Sequence, residues 1–197
     1  MDQTLAQRAA DGLNLPLPKA SDPGVPPIDL DASPALRIIG KYPETLKGRK
    51  VAILVADGSD SAVVDTVRAA VEGDGGSVFI VAPKIGGAKL KGGKALAADG
   101  QLAGSPSVLF DAVAIVLSED GCARLLKEGA AVDFAKDAFG HLQAIGHTPE
   151  AQPLLDKAGV EPDAGVIDLS EDADGFLARP ALANGTASPR CACRGDA

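Results

Sequence analysis

The stretch VAILVADG at residues 51–58 decides the fold. Its first six residues, VAILVA, form a continuous apolar run between Lys50 and the pair Asp57 and Gly58. Such a run predicts a parallel β-strand that is buried on both faces, because a strand with one solvent-exposed face would alternate apolar and polar residues. We therefore expect a domain that opens near Leu46 and is built on a parallel sheet.

Helix and strand patterns alternate after this first strand. Apolar residues recur at helical spacing over 63–71, and Asp60 or Ser61 can cap that helix at its start. SVFIVAP at 77–83 predicts the second buried strand, which completes a βαβ unit with a right-handed crossover. The Gly-rich segment 84–104 then interrupts the alternation and predicts a small β excursion or hairpin.

The second half of the chain resumes the alternation. The predicted elements are buried strands at SVLF (107–110) and AVAIVL (112–117), an amphipathic helix at 131–142, a short strand at LQAIG (142–146), a helix with Thr148 as its N-cap, and a last strand at VIDL (166–169). The predicted fold class is α/β. Specifically, we expect a three-layer α/β/α sandwich with a flavodoxin-like, doubly wound, mostly parallel sheet.

The segments that flank this domain (46–169) differ from it in composition. Residues 5–15 predict two or three helical turns, and the proline-rich segment 16–45 predicts an extended linker. After Ser170 the sequence is polar and has no apolar period, so we expect residues 170–197 to be disordered. The charges and prolines of residues 1–30 predict neither a signal peptide nor a membrane anchor.

The overall composition narrows the classes of function. Of the 197 residues, 46% are apolar, and the formal charge of −8 disfavours nucleic-acid or anionic-membrane binding, which requires clustered Lys and Arg. There are three Cys, of which Cys191 and Cys193 lie in the polar tail, and they suit neither a disulfide framework nor a four-ligand zinc site. We therefore expect an acidic, cytoplasmic protein without a metal site.

Two segments of the sequence contain residues that could be catalytic. AIGHTPEAQPLL at 144–155 predicts the end of a strand, a tight turn of Gly146, His147 and Thr148, and the start of a helix. His147 could act as a general base near neutral pH, although its spacing identifies no acidic partner. Cys122 is expected at a βα turn on the carboxyl edge of the sheet, where open α/β sheets bind ligands.

Several stretches resemble the C-terminal domain of large-subunit (clade 2) haem catalases. They are PALRIIG (34–40), KGRKVAILVADG (47–58), LAADGQLAG (96–104), SPSVLFDAV (105–113) and FAKDAFGHLQAIG (134–146). That domain is flavodoxin-like and belongs to the class I glutamine amidotransferase-like superfamily, so the resemblance implies the same fold. LAQRAADGLNLPLP (5–18) is similar to the end of the family's haem-bearing core, which implies that residues 1–15 are the helical end of that core.

The resemblance also implies a tetrameric parent enzyme that decomposes hydrogen peroxide to water and oxygen with haem. That chemistry needs a distal His with an Asn, and a proximal Tyr supported by an Arg. Only His141, His147 and Tyr42 are available here, and Tyr42 follows Arg37 at one residue more than the family's spacing. We therefore expect no haem or other cofactor in this chain. The expected partners are the catalase core or further copies of the domain.

The wider superfamily places a cysteine nucleophile in the elbow between a strand and a helix, where the helix dipole favours the thiolate. The resemblance puts Gly146 at that position, and the turn after the first strand offers Asp57 and Asp60 where the superfamily has a Glu. It thus implies a degenerate elbow at Gly146, His147 and Thr148. Cys122 then remains as a candidate nucleophile.

Three hypotheses about function follow. The first is a non-catalytic structural and interaction domain of a large-subunit catalase. The second is a residual hydrolase or deglycase-like enzyme of the amidotransferase-like superfamily that uses Cys122 or His147. The third is a holdase-like chaperone module that exposes apolar surface. The sequence leaves open the oligomeric state, any small-molecule ligand, the role of Cys191 and Cys193, and whether the chain is a fragment or free-standing.

Overall fold

The computed structural model describes residues 3–19, 22, 24–26, 28, 30, 33–36, 45–171 and 176. The chain divides into two units, residues 1–36 and residues 37–197. In the first unit, helix α1 spans Gln3–Gly12 and includes most of the segment for which helical turns were predicted. Arg37, Tyr42, Cys191 and Cys193, which the sequence analysis singled out, lie outside the described residues.

A six-stranded parallel sheet forms the centre of the second unit, in the order β5-β2-β1-β6-β7-β8. Strands β3 and β4 pair separately as a short antiparallel hairpin. The strands are β1 (Lys50–Val55), β2 (Ser77–Ala82), β3 (Ala88–Lys89), β4 (Ala95–Leu96), β5 (Gly100–Gln101), β6 (Ala112–Val116), β7 (Ala144–His147) and β8 (Val166–Asp168).

Helices cover both faces of this sheet. They are α2 (Ser61–Gly73), α3 (Glu119–Leu125), α4 (Gly129–Gly140) and α5 (Gln152–Ala158). Strand β1 is apolar after Lys50 because alternate residues face opposite layers: Ala52 and Leu54 join the core that contains residues of α3, α4 and α5, while Ile53 joins the core of α2. The predicted three-layer α/β/α sandwich is therefore confirmed.

Asp60 is the residue that caps α2. Its side chain accepts a hydrogen bond from the backbone N–H of Ala62 at 2.8 Å. This bond satisfies one of the N–H groups that a helix leaves without an intrahelical partner at its first turn. Of the two predicted caps, Asp60 and Ser61, the aspartate is the one used.

Residues 107–110 do not form the predicted strand. Ser107–Leu109 is a single 3-10 turn, and Val108 and Leu109 are 53% and 62% exposed. The side chain of Gln143 fixes the turn by donating hydrogen bonds to the carbonyl oxygens of Ser107 and Phe110. The prediction failed because, of the three apolar residues in this stretch, only Phe110 faces the core.

The Gly-rich excursion at 84–104 is confirmed, with one addition. Strands β3 and β4 form the expected hairpin, but Gly100 and Gln101 return to the main sheet and pair with Val81 and Ala82 as an edge strand. This strand is too short to show an apolar period. The sequence therefore gave no signal for it.

The core extends beyond the segment that carries the strand and helix patterns. Leu46 is fully buried at its start, and Phe176, which lies in the segment for which disorder was expected, is also fully buried. Phe176 belongs to the same core as Val51, Ile53 and the buried valines of α2. A single aromatic residue in a polar segment has no periodicity, so its burial depends on a distant partner that the local sequence does not reveal.

Candidate functional site

The candidate site is the edge of the sheet at which β1, β6 and β7 end. Open α/β sheets bind ligands outside the carboxyl ends of their strands, at the point where the strand order reverses. Here the chain continues from β1 to β2 on one side and later enters β6 on the other side. The reversal therefore lies between β1 and β6, with the end of β7 next to it.

Gly146 lies inside strand β7 and not in a turn. It pairs with Ala114 of β6 and with Ile167 of β8. Its φ angle is not positive, so the backbone at this position does not adopt the left-handed conformation that favours glycine. The predicted tight turn of Gly146, His147 and Thr148 is wrong at its first two residues, because parallel pairing with β6 continues through His147.

Other side chains fill the space in which a residue at position 146 would carry its Cβ atom. An ideal Cβ would lie 2.7 Å from Cδ2 of Leu169 and 3.1 Å from Cδ2 of Phe176. Both of these residues are buried in the core on that face of the sheet. A side chain at position 146 therefore needs space that Leu169 and Phe176 already occupy.

His147 is buried at the end of β7, with 8% of its surface exposed. Its Nδ1 atom lies 3.1 Å from the carbonyl oxygen of Thr148. Because a carbonyl only accepts hydrogen bonds, this contact places the proton on Nδ1. No carboxylate among the described residues forms an ion pair with His147. Within the described ranges, His147 therefore has no carboxylate partner of the kind that a catalytic histidine uses.

The side chain of Thr148 connects the end of β7 with the end of β6. Its hydroxyl accepts a hydrogen bond from the N–H of Leu117 at 3.1 Å and donates one to the carbonyl oxygen of Leu117 at 3.0 Å. Its own N–H donates to the carbonyl oxygen of Ile115. Thr148 is also the N-cap residue of the 3-10 turn Pro149–Ala151, through which the chain enters α5, so the predicted position of the cap is confirmed. The hydroxyl makes no capping hydrogen bond, because it is bound to Leu117.

Ser59 makes a similar connection between β1 and β6. Its hydroxyl donates to the carbonyl oxygen of Val116 at 2.6 Å and accepts from the N–H of Ala56 at 3.0 Å. Ser118 lies in the loop after β6, and its hydroxyl donates to the carbonyl oxygen of Asp57 in the loop after β1 at 2.9 Å. This bond closes the crevice between the two loops. Sequence reasoning missed both serines; the available signal was a hydroxyl in the loop that follows each buried strand.

The hairpin of β3 and β4 is hydrogen-bonded to the loop that follows β1. The N–H of Gly58 donates to the carbonyl oxygen of Lys89 at 2.7 Å, and the N–H of Lys91 donates to that of Ser59 at 2.9 Å. Asp57 adds a third bond, since its Oδ1 atom accepts from the N–H of Lys89 at 2.9 Å. The hairpin thus lies against the loop at which ligands of this fold class bind.

Asp57 and Asp60, the two acidic residues after β1, have structural partners. Asp57 binds the hairpin through Oδ1, and its Oδ2 atom lies 3.4 Å from Nη1 of Arg124. Asp60 caps α2 and lies 3.8 Å from the ammonium group of Lys91. Both side chains thus hold the loop that follows β1.

Cys122 lies within helix α3 and not in the predicted turn. The helix begins earlier than expected because Ser118 is its N-cap and accepts a hydrogen bond from the N–H of Gly121. Only 2% of Cys122 is exposed. Burial raises the pKa of the thiol, and a hydrogen bond with the backbone of Leu154 opposes this effect only in part. No hydrogen bond or ion pair connects Cys122 with His147.

The two histidines of the chain lie at opposite ends of one strand. His141 is exposed at the end of α4, at the amino end of β7, while His147 is buried at the carboxyl end of the same strand. No group of three or more His, Cys, Asp or Glu side chains within this part of the chain could hold a metal ion. Nor does any helix in the described ranges have the length and apolarity needed to cross a membrane.

The fold is shared with a known class of α/β domains. A ThiJ/PfpI domain protein from Brachyspira murdochii superimposes with a TM-score of 0.58 over 72% of this chain and 99% of that chain. The two sequences are 13% identical. The chain therefore has the flavodoxin-like fold of the ThiJ/PfpI class, and at this identity the likeness concerns the fold alone.

The family follows from sequence comparison. A model of the C-terminal domain found in long catalases matches residues 47–182. Catalase C of Rhizobium meliloti (strain 1021) is 41% identical over 177 residues, which cover 88% of this chain and 25% of the relative. Catalase HPII of Pseudomonas putida is 33% identical over 174 residues, which cover 87% of this chain and 24% of the relative.

The chain therefore belongs to the family of C-terminal domains found in long catalases. It spans about a quarter of the length of the curated relatives it matches. The similarity therefore concerns one domain of these enzymes.

Replacing Gly146 by Ala tests whether the space beside β7 is filled. We expect Gly146→Ala to lower the free energy of unfolding by about 1–3 kcal/mol, because the added methyl group overlaps Leu169. Gly129→Ala is the control: nothing lies within 4 Å of its new Cβ atom, and it stands at the start of α4. Urea unfolding followed by circular dichroism measures both; equal midpoints would contradict a filled site.

Alkylation of Cys122 tests whether its thiol is activated. In the variant Cys191→Ser, Cys193→Ser, we expect iodoacetamide to react with Cys122 more slowly than with free cysteine at neutral pH, because burial raises its pKa and limits access. The same variant in urea should react at the rate of free cysteine. Faster reaction in the folded protein than in urea would contradict this.

Proposed function

We propose that the chain is a non-catalytic structural and interaction domain of a large-subunit catalase. The observation that carries the proposal is the filled space at Gly146, where Leu169 and Phe176 occupy the space that a side chain would need. The resemblance puts the superfamily's nucleophile at this residue. The parent enzyme would decompose hydrogen peroxide, and its haem would be held by the larger part of the polypeptide. The elbow at Gly146, His147 and Thr148 would be degenerate.

Two features of the edge support a structural role. The hydroxyl groups of Ser59 and Thr148 bind the backbone of β6, which makes them part of the fold and leaves them without a role as nucleophiles. Ser118 binds the loop after β1 in the same way. The alternative, a residual hydrolase or deglycase-like enzyme, would need an activated thiol, and Cys122 is buried with a raised pKa.

An exposed apolar turn supports an interaction role. Val108 and Leu109 are 53% and 62% exposed, and Gln143 holds their turn rigidly through two hydrogen bonds. We propose that the catalase core or another copy of the domain covers these side chains in the parent enzyme. In an isolated chain the same apolar surface would be accessible to unfolded proteins. This exposed surface favours a holdase-like module as the second candidate function. We also propose a location in the cytoplasm, and the charge of −8 disfavours nucleic-acid partners.

Peroxide consumption tests the central part of the proposal. Purified chain with added hemin should consume hydrogen peroxide no faster than the same hemin with an equally acidic control protein, because His141 and His147 lie at opposite ends of β7 and cannot act together at one haem. A second arm replaces peroxide by methylglyoxal and compares the chain with its Cys122→Ala variant. Turnover above the control in the first arm, or turnover lost with Cys122 in the second, would contradict a non-catalytic domain.

A further inference from the structure

A cleft of about 520 Å³ remains open beside the closed crevice. It lies beyond the carboxyl ends of β1 and β2, between the hairpin of β3 and β4 and helix α3. Its volume falls within the range of small-molecule sites. The apolar residues along it are Ala56, Pro83, Ala88, Ala95 and Leu125.

Gly121 allows α3 to come close to the end of β1 and so shapes one wall of this cleft. A Cβ atom at this position would lie 3.0 Å from that of Ala56 and 3.1 Å from Oγ of Ser118. The close approach places Arg124, one turn further along α3, on the cleft. Asp57 orients the guanidinium group of Arg124 across 3.4 Å.

The lysines of this region differ in whether they form ion pairs. Lys91 and Lys94, which do not line it, form ion pairs with Asp60 at 3.8 Å and with Asp65 at 3.1 Å. Lys84 and Lys89 do line it, and no carboxylate of the described residues lies within 4.0 Å of either ammonium group.

The acidic groups at the cleft do not neutralise these two lysines. Both oxygens of Asp57 are engaged, one with the N–H of Lys89 and the other with Arg124. Glu128 lines the cleft as well, but it forms no ion pair with Lys84 or Lys89. In a chain whose formal charge is −8, the cleft therefore presents a local excess of positive charge.

We infer that this cleft binds a small organic anion, a molecule with an apolar body and a carboxylate or phosphate group. The apolar residues receive the body, while Lys84, Lys89 and Arg124 bind the charged group. Ammonium and guanidinium groups form charge-assisted hydrogen bonds with both kinds of oxyanion. Gly146, His147 and Thr148 do not line the cleft, so the proposed binding does not involve the elbow.

Three probes with a common phenyl ring test this inference: benzoate, phenyl phosphate and the neutral benzyl alcohol. We expect benzoate or phenyl phosphate to shift the amide signals of Gly86, Gly87 and Lys89 saturably in ¹H–¹⁵N spectra of the full chain. Whichever anion binds more tightly identifies the charged group. Benzyl alcohol should bind at least about tenfold more weakly, because it lacks the charge that the lysines recognise.

Two matched double variants complete the test. Lys84→Gln with Lys89→Gln should weaken anion binding at least about tenfold, while Lys91→Gln with Lys94→Gln removes the same charge from the same region and should change it less than about twofold. The spectra also report whether each variant is folded. Absence of saturable shifts with both anions, equal binding of benzyl alcohol, or equal effects of the two double variants would overturn the inference.

Discussion

The structure depends on how the backbone groups at the carboxyl ends of β1, β6 and β7 are satisfied. A parallel sheet buried on both faces leaves N–H and C=O groups at its strand ends, and each of these needs a partner or access to water. Here Ser59 and Thr148 bind the end of β6 from either side. These bonds hold the sheet together at the edge where open α/β sheets bind their ligands.

Most of the sheet could be predicted from the sequence because buried parallel strands are locally encoded. The runs at 51–56, 77–83 and 112–117 need no distant information, since burial on both faces makes every residue apolar. The same rule failed at 107–110, where Val108 and Leu109 are apolar but exposed. Composition alone cannot separate a buried run from an apolar turn that faces outward. The edge strand of Gly100 and Gln101 was missed because two residues show no period.

The candidate site was predictable in its location but not in its details. The sequence pattern and the resemblance pointed to Gly146, and the structure places it beside Leu169 and Phe176. The burial of Phe176 could not be anticipated, because it depends on packing in a core whose other members, such as Val51 and Ile53, lie far away in the sequence. The roles of Ser59 and Thr148 were equally hidden, since a hydroxyl after a strand can also cap a helix. Local patterns therefore identified the edge, and long-range packing determined what the edge can do.

Hydrogen exchange at the strand ends measures the closure of this edge most directly. The amide of Ala56 donates to the hydroxyl of Ser59, and the amide of Leu117 donates to that of Thr148. A closed edge predicts that both amides exchange as slowly as that of Ile53 in the middle of β1, because all three would open only with the core of the domain. Exchange of Ala56 and Leu117 as fast as that of the exposed loop residue Ile85 would show an open edge and contradict the account.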